Sequence, residues 1–109
     1  MNSKKIDLCK LIQNSLSKNK AKEITIIDLK KKTSIADYMI ICTGNSNRHI
    51  IALSNYLSED LKKLNLNMLS VEGKKGGDWI VVDVGDIIIH LFRREVREYY
   101  NLEKMWAVN

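Results

Sequence analysis

The stretch 37-DYMIICTGNSNRH-49 sets the frame for the rest of the chain. Its first half is nearly apolar throughout, which suits a strand covered on both faces and therefore a central one. The strand pattern ends at Gly44. Asn45 and Ser46 are helix-capping residues, and an apolar period of three and four begins after them. A glycine turn feeding a helix N-terminus presents free backbone N–H groups and the positive end of the helix dipole, a geometry suited to anions. The stretch therefore reads as strand, turn and helix, and it raises the choice between a phosphate site and a plain helix entry.

Working outward, residues 46–64 carry Ile50, Leu53, Leu57, Leu61 and Leu64 on one stripe, with Asn55, Glu59, Asp60, Lys62 and Lys63 mostly off it. Residues 4–18 form a second amphipathic pattern through Ile6, Cys9, Ile12 and Leu16, widened by Leu8 and Leu11, with Ser3 as an N-cap. EITIIDL, 23–29, is rich in β-branched residues and reads as a strand. Residues 67–72 read as another, which should run parallel to 37–44 across the intervening helix. DWIVVDVGDIIIHLF, 78–92, reads as a hairpin whose turn is Asp83-Val84-Gly85-Asp86, with Gly85 at positive φ. A short helix is expected over 94–100. The result is an α/β (α+β) domain over residues 1–109, with a mixed five-stranded sheet and helices packed on it.

Net charge is +5 with a pI near 9.3, which favours a partner rich in phosphate or acidic groups. No apolar run reaches the ~20 residues of a membrane span, and no signal or transit peptide is evident. The two cysteines, Cys9 and Cys42, sit in separate elements and outside any Cys/His cluster, so they read as buried thiols in a reducing, cytoplasmic setting.

Nucleotidyl transfer at Gly44-Asn45-Ser46 would need metal-holding carboxylates, usually two residues apart on one strand face. The strand after the helix offers Met68, Ser70 and Glu72 on one face, which is a single carboxylate. Glu59 and Asp60 are adjacent on a helix and diverge, while Asp83 and Asp86 read as turn-making residues. The turn therefore reads as a helix entry, with no catalytic, metal or cofactor site. His49 reads as a surface residue at a helix start, and His90 as a partly buried, hydrogen-bonded residue sharing a strand face with Ile88 and Phe92.

Residues 79–106 hold both tryptophans, two of four tyrosines and the single phenylalanine, interleaved with Arg93, Arg94, Arg97 and Lys104. Aromatic and Arg anchors are what protein interfaces enrich, and they also suit stacking on single-stranded RNA. The aromatics equally suit a small domain's core.

Three separated motifs, ADYMIICTGNSNRH, EGKKGGDWIVVDVGDIIIHLF and EVREYYNLEKMW, together resemble the ribosomal silencing factor family (RsfS, or Iojap-like) over about residues 6–106. The resemblance implies a nucleotidyltransferase-like fold without the catalytic carboxylates. It implies binding to the large ribosomal subunit through ribosomal protein L-fourteen (uL-fourteen), blocking the small subunit and repressing translation under nutrient limitation. It also implies a homodimer in the free protein, while the Lys/Arg set would add secondary, salt-dependent contacts to nearby ribosomal RNA. Organelle relatives act in large-subunit assembly. Trp79, His90, Phe92, Arg97, Tyr99, Tyr100 and Trp106 are the residues expected at the partner surface. A nucleotidyltransferase-type enzyme and a general RNA-binding module are the alternatives. Arg94 stands where the family commonly has proline, and Asn47 where serine is common.

Overall fold

A computed structural model describes residues 3–107. The elements follow in the order α1 (Ser3–Lys18), β1 (Lys22–Asp28), β2 (Tyr38–Gly44), α2 (Asn47–Lys62), β3 (Ser70–Glu72), β4 (Trp79–Asp83), β5 (Ile87–Arg93), α3 (Arg94–Tyr100) and α4 (Leu102–Ala107). One five-stranded sheet has the order β1-β2-β5-β4-β3. β2 and β5 are parallel, and the other three pairings are antiparallel. All seven residues of β2 are buried, as its near-continuous apolar run requires of a central strand.

β2 and β3 do run parallel, but they are not neighbours, because the β4–β5 hairpin inserts between them. The hairpin turn is as expected: Gly85 has φ 98° and its N–H donates to Asp83 Oδ1 at 2.8 Å. Strand β3 is shorter than the six residues read from sequence, starting only at Ser70. Helix α2 also stops early, at Lys62. Asn65 takes a left-handed φ of 60°, Leu66 N–H returns to the Leu61 carbonyl, and Leu64 is left half-exposed rather than on the buried stripe.

The two sheet faces are covered differently. On the first, Ile12 and Leu16 of α1 and Ile50, Leu53 and Leu57 of α2 bury Tyr38, Ile40, Cys42, Ile80, Val82, Ile87, Ile89 and Leu91. On the second, Ile27, Leu29, Ala36, Met39, Ile41 and Phe92 form a smaller core, closed by Trp79, Ile88, Val96, Leu102 and Trp106. The alternation of each strand sorts these sets, since neighbouring Cβ atoms point to opposite faces. Ser3 is the first residue of α1; its side chain and that of Ile6, both read as part of that helix's pattern, lie outside the described residues. Helix α4 was not evident from sequence, because six residues do not establish a helical period.

Candidate partner-binding face

The glycine turn is a helix entry built on internal bonds. Ser46 is the N-cap of α2, and its Oγ accepts from His49 N–H at 3.1 Å. The Asn45 N–H, one of the amides that would face a phosphate, donates instead to His49 Nδ1 at 2.9 Å. His49 Nε2 donates to the Asn19 carbonyl at 2.8 Å, which fixes the tautomer. His49 is therefore a half-buried plug joining the turn to the end of α1, not the surface residue its position suggested. Asn47 holds the Gly76 carbonyl at 2.9 Å, so the departure from serine docks the 73–77 turn onto α2. Glu23 and Glu95 line a cleft beside Gly44 with Lys22 and Arg94, but Glu95 is paired with Arg93 at 3.3 Å. Among the described residues no three His, Cys, Asp or Glu side chains come together as a metal site.

Both thiols are buried. Burial pushes Cys42 up to about 12 and raises Cys9 above its ordinary value, so neither is a nucleophile near neutral pH.

The aromatic residues of the last third meet on the second face of the sheet. Register puts Trp79 of β4 opposite Phe92 of β5, with His90 two residues away on the same face. Trp79 lies 5.2 Å from Phe92, 5.8 Å from His90 and 4.7 Å from Tyr100 of α3, centroid to centroid. His90 stacks on Phe92 at 5.8 Å, and Tyr99 meets Tyr100 edge to face at 5.0 Å. Trp79 Nε1 donates to His90 Nδ1 at 2.9 Å, which places the ring proton of His90 on Nε2. Burial pushes His90 down to about 4, so it is neutral at pH 7 and keeps its acceptor for Trp79.

The seven expected surface residues divide in two. Tyr99 is 82% exposed and Tyr100 52%, while Trp79 and Trp106 are half-buried and reach solvent at the rim of the cluster. Phe92 is fully enclosed, and His90 and Arg97 are both buried. These three lie beneath the surface, because the sheet and α3 close over them. Trp106 of α4 packs on the second core, and its carbonyl accepts from Lys32 Nζ.

Arg97 is expected among the surface anchors, but its guanidinium is bound within the chain. Nε and Nη2 donate to Glu103 Oε2 at 3.1 and 2.9 Å. Nη1 donates to the Glu23 carbonyl at 2.7 Å and to Thr43 Oγ1 at 2.9 Å, and Nη2 also donates to Thr25 Oγ1 at 3.1 Å. Sequence periodicity could not find this set: Glu103 is six positions away across a helix break, and the Glu23 carbonyl is presented by a β-bulge with φ 52°.

The fold defines a class: an α/β domain on a mixed five-stranded sheet, with two long helices over one face and two short helices and an aromatic cluster on the other. Residues 2–109 match the family model described as ribosomal silencing factor during starvation, RsfS. A ribosomal silencing factor from Zymomonas mobilis is 48% identical over 100 residues, covering 92% of this chain and 75% of that protein. One from Haemophilus influenzae is 42% identical over 92% of this chain and 98% of its own length. A mouse protein named for mitochondrial assembly of the ribosomal large subunit is 36% identical over 95% of this chain and 46% of its own. A crystal structure from Chromobacterium violaceum superimposes with a TM-score of 0.90 at 36% identity, covering 94% of this chain and 86% of that one. The chain belongs to the ribosomal silencing factor family.

Proposed function

We propose that this protein silences ribosomes by occlusion and not by catalysis. It binds the large ribosomal subunit through ribosomal protein L-fourteen and occupies the surface the small subunit needs. Repression under nutrient limitation follows, since two bodies cannot share one surface. The observation that carries this reading is the aromatic rim of exposed Tyr99 and Tyr100 with half-buried Trp79 and Trp106, backed by Phe92, His90 and Arg97, in a member of a family named for ribosome silencing. Exposed tyrosines and tryptophans on a rigid support are what protein-binding hot spots use. The name of the mouse relative, which ties it to the large subunit, supports the same partner.

Two further contacts belong to this reading. The basic chain makes secondary contacts to ribosomal RNA beside the protein partner, and these weaken as salt rises. In the free protein the aromatic rim closes on a second copy, so dimerisation competes with ribosome binding.

The experiment is sedimentation of purified subunits with and without the protein, beside Tyr99→Ala and Trp79→Ala variants. The protein is expected to travel with the large subunit and to lower the yield of joined ribosomes. Tyr99→Ala is the cleaner variant, because that side chain is mostly in solvent and Trp79 also supports the second core. Truncating an anchor should cost about 2 kcal/mol, roughly thirtyfold in affinity. A protein that ignores the large subunit, or a Tyr99→Ala/Trp79→Ala pair that binds and represses like wild type, overturns the reading.

A further inference from the structure

Helices α3 and α4 follow β5 almost without linkers. Arg94 begins α3 directly after Arg93, and a single left-handed residue, Asn101 with φ 50°, joins α3 to α4. Seven and six residues are too few to hold helical shape alone. Yet these two short helices carry Tyr99, Tyr100 and Trp106, three of the four aromatics at the rim. Something must hold their orientation, and α3 has no side-chain N-cap.

We propose that Arg97 is a positioning residue. Its guanidinium locks the α3–α4 elbow onto the β1–β2 edge of the sheet and so holds Tyr99, Tyr100 and Trp106 in the arrangement the partner meets, without touching the partner itself. The inference rests on the occlusion reading above and adds to it the device that shapes the face. A guanidinium has five N–H donors, and the five bonds to Glu103 (two), Glu23, Thr43 and Thr25 match them one for one. Arg97 is 8% exposed, so no donor and little surface is left for a partner. The acceptors come from three elements: β1 (Glu23, Thr25), β2 (Thr43) and α4 (Glu103). Helix α3 supplies the cation, so one side chain ties four elements together. Glu23 adopts a left-handed φ of 52° at a β-bulge, a conformation disfavoured for a side-chain-bearing residue, and its carbonyl receives the shortest of the five bonds. Lysine could not replace this fork, since its ammonium has three donors and no planar geometry.

The test uses the full chain and three variants: Arg97→Lys, Glu103→Gln and Thr43→Val. Two quantities are measured, the affinity for purified large subunits and the hydrogen exchange of the α3–α4 amides against those of α2. Glu103→Gln leaves Arg97 in place and weakens only its grip. The expected result is a loss of affinity of roughly tenfold for Glu103→Gln, matched by a similar rise in opening of the α3–α4 amides, with α2 unchanged. Arg97→Lys should show the same pairing with a larger loss. If Arg97 instead contacts the partner directly, Glu103→Gln and Thr43→Val will retain wild-type affinity while Arg97→Lys loses it, and the inference falls. It also falls if the α3–α4 amides open in the variants and affinity does not change. Wild-type protein without affinity for large subunits would overturn the occlusion reading, and the positioning role toward that partner with it.

Discussion

At the scale of single residues, aromatic character alone does not put a side chain on the surface. Phe92 and His90 share a face, yet both end up under the surface rather than on it, packed against Trp79, which in turn meets Tyr100. Phe92→Ala should therefore cost about 3–5 kcal/mol in chemical unfolding, since it empties the centre of the second core. His90 carries a pH signature. Its ordinary value of 6.5 in the unfolded chain falls to about 4 in the folded one, because burial disfavours the charged ring. Between those values the unfolded chain binds more protons, so stability rises with pH. The contribution is complete above about 6.5 and is lost as pH falls toward 4, with a size on the order of 3 kcal/mol. Urea titrations across that window should show a steeper slope for wild type than for His90→Asn, whose amide oxygen can still accept from Trp79 but does not titrate. Equal slopes would mean that His90 is not held neutral by burial.

At the scale of elements, the 73–77 turn decides where Trp79 stands. Gly73 has φ 95°, and a Cβ there would strike the Trp79 carbonyl oxygen; no side chain can swing aside to relieve a clash with backbone. Gly76 three residues on has open space around its Cβ position. Gly73→Ala should lower stability by about 2 kcal/mol or more, whereas Gly76→Ala should stay within about 0.5 kcal/mol of wild type. Thermal melts of the two variants side by side check this, and equal midpoints would refute it. The start of α3 shows a different adjustment. Arg94, standing where the resemblance expects proline, occupies the first helical position and pairs with Glu98 four residues on at 3.2 Å. An exposed pair of that kind gives a few tenths of a kcal/mol, enough to offset part of what a fixed φ would contribute.

At the scale of the whole molecule, the first core is a sandwich of sheet and two long helices, and both thiols are enclosed by it: Cys9 is 5% exposed and Cys42 0%. With Cys42 raised to about 12 and Cys9 also raised, neither should react with a disulfide reagent in the native state except through unfolding. Labelling rates should be slow, should rise with urea in parallel with global unfolding, and should approach free-thiol rates only in denaturant. Rapid labelling in buffer would show that α1 opens independently. No helix among the described residues is long and apolar enough to cross a membrane.

Most elements of this protein are legible in its sequence because their signals are local; the six-residue α4 is not. The continuous apolar run of 38–44, the three-and-four spacing through Ile50, Leu53 and Leu57, and the glycine of the 83–86 turn each report on backbone geometry within a few residues. The aromatic crowding of the last third and the single carboxylate on one face of the 67–72 stretch are equally plain. What lay beyond reach were facts made by distance. The β4–β5 hairpin inserting between β2 and β3 depends on hydrogen bonds between strands far apart in the chain. His49 is a plug because α1 ends beside it and offers the Asn19 carbonyl. Arg97 is an internal tie because Glu23, Thr25 and Thr43 arrive from more than fifty residues away. Composition and periodicity say which residue types can bind or bury. Only the packed sheet decides which face each one takes and whether its polar groups are satisfied before a partner arrives, since burial and hydrogen-bond partners are properties of the assembled chain.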